Sequence, residues 1–272
     1  MKRHAAIAAL LLGFSVVANG APALADTNIN IAGSTALLPL VKDAADVYQQ
    51  QHKDVKISVS GGGSGSGIAQ VAAKAIDIGD SDILAAGHPE LHDNRVAVIG
   101  FAVVTNPGLG MKNLSKKQIQ DIFSGKVTNW KEIGGPDQKV VVINRPRSSG
   151  TRAVFTKTLM GSATINESGL TEDATGTVVS VVKQTPGAIS YAAFSGTHNQ
   201  NIAEVSIDGV APNDENVMSG KYPVWSYEHM FTNGDPKPEI AKFIDYVTNN
   251  TALVKKDGFL LIKDMKVTET DR

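Results

Sequence analysis

The stretch from 28 to 51 reads NINIAGSTALLPLVKDAADVYQQQ: a short strand, a Gly-Ser-Thr turn and an amphipathic helix. Its first four residues alternate as in a strand, and apolar residues recur at helical spacing over 36–51. Ser34 or Thr35 is the expected N-cap, and Pro39 is tolerated because it lies near the first turn. This order of strand, loop and helix predicts an α/β unit.

The same alternation continues along the chain and predicts an α/β fold with a mostly parallel sheet. Further strands are expected at 55–60, 76–79, 96–105, 140–144 and 188–194, and further helices at 68–75, 115–123, 151–160, 177–184, 238–249 and 251–256. Two long extended segments, 96–105 and 222–231, are the expected crossings between two lobes. We therefore assign 26–103 and 224–272 to lobe 1, and 104–223 to lobe 2.

The N-terminal segment has the pattern of a secretory signal peptide. Lys2 and Arg3 precede an apolar run at 5–17, and Ala23-Leu24-Ala25 forms an A-x-A cleavage site. An uncleaved membrane anchor is the alternative, but the run is short for a membrane span and polar or helix-breaking residues follow it. We expect residues 1–25 to be removed, which leaves a soluble protein in the periplasm.

The composition excludes several classes of protein. The chain has 272 residues, of which 42% are hydrophobic and 19% charged, so it is neither disordered nor fibrous. Lys and Arg number 26 against 27 Asp and Glu, and this balance argues against a nucleic-acid partner. There is no cysteine, which rules out disulfides, thiol nucleophiles and thiolate metal sites.

Three loops rich in Gly, Ser and Thr each follow a predicted strand and precede a predicted helix. They are 33–35 (GST), 61–67 (GGGSGSG) and 148–151 (SSGT). The N-terminus of a helix presents unpaired N–H groups and a partial positive charge, so it can receive an oxyanion. One such loop indicates only a capped helix, whereas three from both expected lobes favour a shared anion site.

Charged residues support this interpretation. Of six arginines, Arg145, Arg147 and Arg152 lie around the third loop. Arg145 ends a strand, where its guanidinium can bind an oxyanion through two hydrogen bonds; the alternative for Arg145 is a surface salt bridge. For Arg152, which is expected to face out of its helix, the surface salt bridge is the favoured interpretation. Asp82 ends another strand and can accept a proton that the anion carries, although a turn-capping role is equally compatible with its position.

Motifs of enzymes and metal sites are mostly missing. The glycine loop lacks the Gly-Lys-Ser/Thr of a Walker loop, the third glycine of G-x-G-x-x-G and the last glycine of G-x-S-x-G. His88 and His92 have helical spacing for a metal pair, but Pro89 breaks that helix. Trp130 and Trp225 are expected to pack in the core. No metal and no cofactor is therefore predicted.

Six segments together resemble the phosphate-binding subunits of bacterial phosphate ABC transporters, the PstS family. They cover nearly the whole mature chain in the family's order: 32–36 (AGSTA), 61–68 (GGGSGSGI), 77–82 (DIGDSD), 122–130 (IFSGKVTNW), 145–151 (RPRSSGT) and 186–191 (PGAISY). The resemblance implies a type II periplasmic-binding-protein fold, with two α/β lobes, two hinge crossings and a ligand cleft between the lobes.

The resemblance also implies which residues bind phosphate. From lobe 1 these are Ser34, Thr35, the backbone of Ala36, Ser64 and Asp82, which accepts the phosphate proton; from lobe 2 they are Arg145, Ser149, Gly150 and Thr151. Ser66 and Arg147 are possible additional residues. Two positions depart from the family pattern: Arg147 stands where an acidic residue is frequent, and Asp80 is an unusual neighbour of Asp82.

These observations predict a non-catalytic periplasmic receptor. The implied partners are inorganic phosphate and the membrane permease of an ABC transporter, with no nucleic acid, and the protein is expected to be a monomer. One alternative is the same fold carrying sulfate, molybdate or tungstate. Others are a secreted serine or phosphoryl-transfer enzyme, which would need a base beside Ser64 or Ser149, and a scavenging or sensing protein without a transporter.

Overall fold

A computed structural model describes residues 27–198 and 200–269. The expected signal peptide, residues 1–25, lies outside the described residues. Within the described residues no helix combines the length and apolar character needed to cross a membrane.

Ten strands and nine α-helices form the described part of the chain. The strands are β1 (Thr27–Gly33), β2 (Val55–Ser60), β3 (Ile78–Ser81), β4 (Leu91–Thr105), β5 (Asn113–Leu114), β6 (Val141–Asn144), β7 (Leu170–Thr171), β8 (Ala188–Ala193), β9 (Ala203–Ile207) and β10 (Trp225–Asn233). The helices are α1 (Leu38–Gln51), α2 (Ser64–Ala72), α3 (Lys116–Phe123), α4 (Gly150–Phe155), α5 (Thr175–Gln184), α6 (Phe194–Thr197), α7 (Asp214–Met218), α8 (Pro238–Asn249) and α9 (Thr251–Lys256).

The first lobe contains a five-stranded sheet in the order β2-β1-β3-β10-β4. Strands β1, β2 and β3 are parallel, and β10 runs antiparallel to both β3 and β4. Because β1 and β3 are parallel neighbours, their carboxyl ends meet at one edge of the sheet. Ligands of open α/β sheets bind at such an edge.

Strand β4 passes from one lobe into the other. Its residues up to Gly100 pair with β10, whereas residues from Phe101 onward pair with β8. The second lobe continues from β4 through β8 and β6 to β7, with β9 beside β4 and β5 beside β9. The chain returns next to this crossing, where the Phe101 N–H donates to the Val224 carbonyl at 2.9 Å. The lobe boundaries at 103/104 and 223/224 stay a prediction.

Helices cover both faces of the first sheet. Helices α1 and α8 pack into the main hydrophobic core, with Leu40 and Phe243 fully buried. Helix α2 contributes Ile68 and Val71 to a separate small cluster with Phe231 of β10. This layering is the two-lobed α/β architecture that the sequence predicted, and it leaves the starts of α1 and α2 at the sheet edge. The sheet is mixed rather than mostly parallel as expected, because the two crossing strands β4 and β10 run antiparallel to their neighbours.

The predicted starts of the first two helices were wrong. Helix α1 begins at Leu38 rather than Ala36, its N-cap is Leu37, and Pro39 lies in the first turn as expected. Ser34 instead closes the preceding turn, since its hydroxyl accepts the N–H groups of Ala36 and Leu37, each at 3.0 Å. Helix α2 begins at Ser64, inside the glycine loop that we expected to be irregular up to residue 67.

The third helix of the site is shorter than predicted. Helix α4 spans Gly150–Phe155, and the expected continuation at Thr156–Met160 is a π-helical turn. The capping of α3 agrees with the sequence, because Ser115 accepts from the Gln118 N–H at 3.1 Å in a full capping box. Helices α8 and α9 have the predicted bounds.

Candidate functional site

Two strand ends in lobe 1 place the first half of the site. β1 leads into the turn at Gly33, and β3 leads into Asp82. Gly33 has a φ of +143°, and a Cβ there would lie 2.1 Å from the Asp80 carbonyl oxygen, so only glycine fits. The next residue, Ser34, donates its N–H to that carbonyl at 2.9 Å. The two strand ends are therefore held side by side.

The Asp82 carboxylate is the centre of a buried hydroxyl cluster. The Ser34 hydroxyl donates to its Oδ1, and the Thr151 hydroxyl donates to its Oδ2 at 2.9 Å. The Asp82 N–H donates to the Ser64 hydroxyl oxygen at 2.9 Å. All four residues are at most 2% exposed. Since Thr151 belongs to lobe 2, this cluster joins the two lobes directly.

Arg145 brings a buried positive charge from lobe 2. It follows β6 and is 1% exposed. Its Nη2 donates to the Thr35 hydroxyl at 3.1 Å and to the Asp173 carbonyl at 2.9 Å. Among the described residues, its Nε and Nη1 have no hydrogen-bond partner. A buried guanidinium with two free donor atoms is the clearest sign of an anion site in the molecule.

Burial dominates the electrostatics of this pair. It raises the pKa of the Asp82 carboxyl, while the hydroxyls of Ser34 and Thr151, the charge of Arg145 and the Ser64 hydroxyl lower it. Burial lowers the pKa of the Arg145 guanidinium, and the neighbouring Asp82 raises it. The two groups therefore stabilise each other's charged forms.

The loop before α4 closes over the glycine loop of lobe 1. Ser149 is the N-cap of α4 and accepts the Arg152 N–H at 3.2 Å. The Ser148 carbonyl accepts the Gly65 N–H across the lobes at 2.9 Å. A Cβ on Gly150 would lie 2.1 Å from the Ser64 hydroxyl oxygen and 2.9 Å from the Asp82 Cβ. The beginnings of α2 and α4 thus meet at the Asp82 carboxylate.

Seven of the expected site residues converge here, and the others have different positions. The convergent ones are Ser34, Thr35, Ser64, Asp82, Arg145, Gly150 and Thr151. Ala36 and Ser149 line the adjoining helix starts through their turn and capping bonds. Ser66 accepts a hydrogen bond from Gln70 at 2.9 Å within α2. The side chain of Arg147 is 85% exposed and pairs with Glu167 at 3.3 Å.

Arg152 does not face out of its helix as expected. Its side chain is only 12% exposed, and it pairs with Glu167 at 2.6 Å. Its Nη1 also donates to the Arg145 carbonyl at 2.6 Å. The salt bridge expected for Arg152 is present, but the guanidinium is folded back against the chain and supports the backbone at Arg145.

Two residues near the site were missed in the sequence. Thr175, at the start of α5, donates its N–H to the Thr35 hydroxyl at 3.3 Å and is 3% exposed. Its Thr-Gly-Thr context is the signal we used for the other loops, but the helix was predicted to begin two residues later. Glu228 of β10 is fully buried. It was missed because it lies inside an extended, largely apolar segment and follows no strand end.

The arrangement suits binding of an anion. Among residues 27–198 and 200–269, no group of His, Asp or Glu side chains has the geometry of a metal site. His88 pairs with Glu90 and His92 with Asp235, so the two histidines do not share a ligand. Trp130 and Trp225 are buried in the core, as predicted. A cavity of 470 Å³ opens beside Thr35 and Thr175.

Comparison with known proteins adds independent information. Residues 18–251 match the model of the PBP superfamily domain. The chain is 42% identical to the phosphate-binding protein PstS of Bacillus subtilis over 252 residues, which cover 90% of this chain and 84% of that protein. It is 25% identical to the PstS of Borreliella burgdorferi, covering 86% of this chain and 90% of that one.

Solved structures similar to this fold also include phosphate-binding transport proteins. The fold is similar to a putative phosphate ABC transporter substrate-binding protein of Clostridium perfringens with bound phosphate, with a TM-score of 0.82, 28% identity, and coverage of 87% of this chain and 100% of that one. It is also similar to an ABC-type phosphate transport receptor of Vibrio cholerae, with a TM-score of 0.70, 26% identity, and coverage of 86% and 99%.

Proposed function

The chain belongs to the PBP superfamily and, within it, to the phosphate-binding proteins named PstS, and from this premise we propose that it captures inorganic phosphate between its two lobes. It binds its ligand without transforming it and hands it to the membrane permease of an ABC transporter. We further propose that the protein is exported to the periplasm and acts there as a monomer.

One observation carries the proposal: the buried Arg145 has two donor atoms without a partner among the described residues, and the buried Asp82 carboxylate nearby is surrounded by hydroxyl groups. The arginine requires an anion, and the carboxylate repels any anion that has no proton to share. Phosphate satisfies both, because near neutral pH it carries negative charge and keeps at least one P–OH group.

Phosphate would replace the direct contacts that now join the lobes. Its oxygens would accept from Arg145, Thr35 and Ser64, and from the backbone N–H groups at the start of α4. Its P–OH would donate to Asp82 in place of one of the hydroxyls that now do so. Because these groups come from both lobes, binding would favour the closed arrangement, which we propose is the form that docks on the permease.

Thermal unfolding with added phosphate tests the proposal. A ligand that binds only the folded state stabilises it by about 2.7 kcal/mol at a hundredfold excess over its Kd. The unfolding midpoint should therefore rise steadily with phosphate concentration and much less with equal sulfate or molybdate. A midpoint that does not respond to phosphate would contradict the function, and a larger response to molybdate would favour the other-oxyanion alternative.

A further inference from the structure

A second buried acid lies beside Asp82, and the proposed phosphate contacts do not use it. Glu228 of β10 is 0% exposed. Within the described part of the chain, neither of its carboxylate oxygens receives a hydrogen bond. An ionised carboxylate in this environment would pay the full cost of lost hydration without compensation.

Strand register places Glu228 next to Asp82. In the antiparallel pair, His229 lies opposite Ser81 and Met230 opposite Asp80. Asp82 directly follows Ser81, just beyond the end of β3, so one further step of this register brings Glu228 next to Asp82. Directly opposite residues of an antiparallel pair project to the same face, about 5 Å apart at Cβ. On the other side of β10, the register with β4 shifts between Glu228 and His229, so a β-bulge bends the strand at this position.

Three buried acids therefore lie close together, since Asp80 is in β3 and Asp82 directly follows the last residue of that strand. They differ in their partners. Asp82 receives hydrogen bonds from two hydroxyls, whereas the oxygens of Asp80, like those of Glu228, receive none. Burial and the nearby Asp82 raise the pKa of both Asp80 and Glu228 well above the usual range. Burial raises the pKa of Asp82 as well, but of these three acids Asp82 is the one whose charged form is stabilised by hydrogen bonds.

Among residues 27–198 and 200–269, no cation is hydrogen-bonded to Glu228, although Lys157 lines a cavity that also borders Asp82. Strand β4 places Ala97 opposite Glu228, and His229 projects to the other face, where it pairs with Asp93 at 2.6 Å. Helix α2, which packs on β3 and β10, contains no titratable side chain. From lobe 2, Arg145 acts on Asp82, and Arg152 of α4 is engaged by Glu167.

We propose that Glu228 is a positioning residue of the phosphate site, whose neutral carboxyl donates a hydrogen bond to Asp82 and keeps Asp82 an ionised acceptor for the ligand's proton. This inference rests on the proposed function. Only one proton is held between the two carboxyls, so Asp82 retains a lone pair for the P–OH of phosphate. The bound anion, adding negative charge nearby, holds that proton more tightly still.

Binding is then linked to the protonation of Glu228. As pH rises, Glu228 loses its proton at a lower pH in the ligand-free protein than in the complex. At such a pH, the complex can form only if the protein takes up a proton. Affinity should therefore fall with rising pH, by up to about tenfold per pH unit for one linked proton. In the alkaline range phosphate is already the dianion with one proton. A decrease of affinity with pH in that range is therefore due to titration of a group on the protein.

Calorimetric titration with phosphate tests this inference. Wild type and Glu228→Gln are titrated from neutral to alkaline pH, each in buffers with different heats of ionisation, which gives the number of protons taken up. The glutamine amide donates to Asp82 but cannot lose its proton. We expect binding to persist at neutral pH in the variant, and both proton uptake and the alkaline loss of affinity to decrease. Glu204→Gln, on β9, should behave like wild type.

The outcomes separate the two proposals. If wild type does not bind phosphate, the proposed function fails. If wild type binds and Glu228→Gln shows the same proton uptake and pH profile, the function stands and the Glu228 inference is wrong. An effect confined to Asp80→Asn would assign the proton to Asp80 and also overturn it. Should Glu228→Gln not fold, a wild-type affinity that stays flat across the alkaline range would refute the inference alone.

Discussion

At the scale of single residues, we propose that Arg145 is the main source of positive charge for the ligand. Two of its donor atoms are buried without a partner among residues 27–198 and 200–269, and ligand oxygens would satisfy them. A hydrogen bond to a charged group contributes about 1.5–3 kcal/mol. Arg145→Ala should therefore weaken phosphate binding by about tenfold to a few hundredfold, as measured by calorimetric titration.

Arg147 is the matched control for this substitution. It lies two residues away, but its side chain is 85% exposed and pairs only with the surface residue Glu167 among the contacts seen. Surface ion pairs contribute little, so Arg147→Ala should leave affinity nearly unchanged. Equal effects of the two substitutions would mean that the site responds to overall charge rather than to a specific contact with Arg145.

At the scale of elements, the beginning of α4 must approach the beginning of α2 closely. A methyl group on Gly150 would meet the Ser64 hydroxyl and the Asp82 Cβ, both in the other lobe. Overpacking of this kind costs about 1–3 kcal/mol. Gly150→Ala should therefore weaken phosphate binding by about tenfold to a hundredfold, because it opposes closure rather than folding of either lobe.

Gly176, in the first turn of α5, provides the comparison. A Cβ there meets nothing within 4 Å, and alanine favours helix over glycine. Gly176→Ala should leave affinity unchanged and thermal stability equal or slightly higher. If Gly150→Ala binds phosphate as well as Gly176→Ala does, the close approach of α2 and α4 is not required in the complex.

The elements also show what sequence can predict and where it fails. The capping box at Ser115 and the bounds of α8 and α9 follow from local signals, since caps and apolar periodicity act within one turn. The start of α2 was missed because glycine and serine disfavour helix locally. There tertiary contacts hold the backbone: Gly63 enters with a φ of +87° and donates to the Gly33 carbonyl at 2.8 Å.

The site was predictable to the extent that its residues follow strand ends. Ser34, Asp82 and Arg145 each do so, and the structure brings them together. Glu228 lies inside a strand, and its proximity to Asp82 depends on the pairing of β10 with β3, which are about 150 residues apart in the chain. The partner strand in such a pairing lies far away in the chain, so the residues around Glu228 do not reveal it.

At the scale of the whole molecule, the two lobes are joined by direct contacts. The Ser195 hydroxyl donates to the Ala36 carbonyl at 2.9 Å, in addition to the bonds from Thr151 and Arg145. We expect these contacts to be weak without a ligand, and phosphate to shift the population toward the closed form. Solution X-ray scattering should show a small decrease in the radius of gyration on adding phosphate.

Arg145→Ala is the control for closure, because it removes a donor in lobe 2 that the ligand would bridge to lobe 1. Its scattering should respond to phosphate only at much higher concentrations. Identical curves for wild type with and without saturating phosphate would show that the lobes are already fixed, and the ligand would then enter a rigid site.

Competition between phosphate and sulfate tests the central claim most directly, because the two ions differ in the proton that Asp82 is proposed to accept. Sites built around a hydroxyl of the ligand reject analogues that lack it by about 10⁴-fold. Calorimetric competition at neutral pH should show that wild type prefers phosphate over sulfate by a factor of that order and binds arsenate about as well as phosphate. In Asp82→Asn, the ratio of the phosphate affinity to the sulfate affinity should be smaller. Sulfate binding to wild type within about tenfold of phosphate, far below that rejection, would contradict the account.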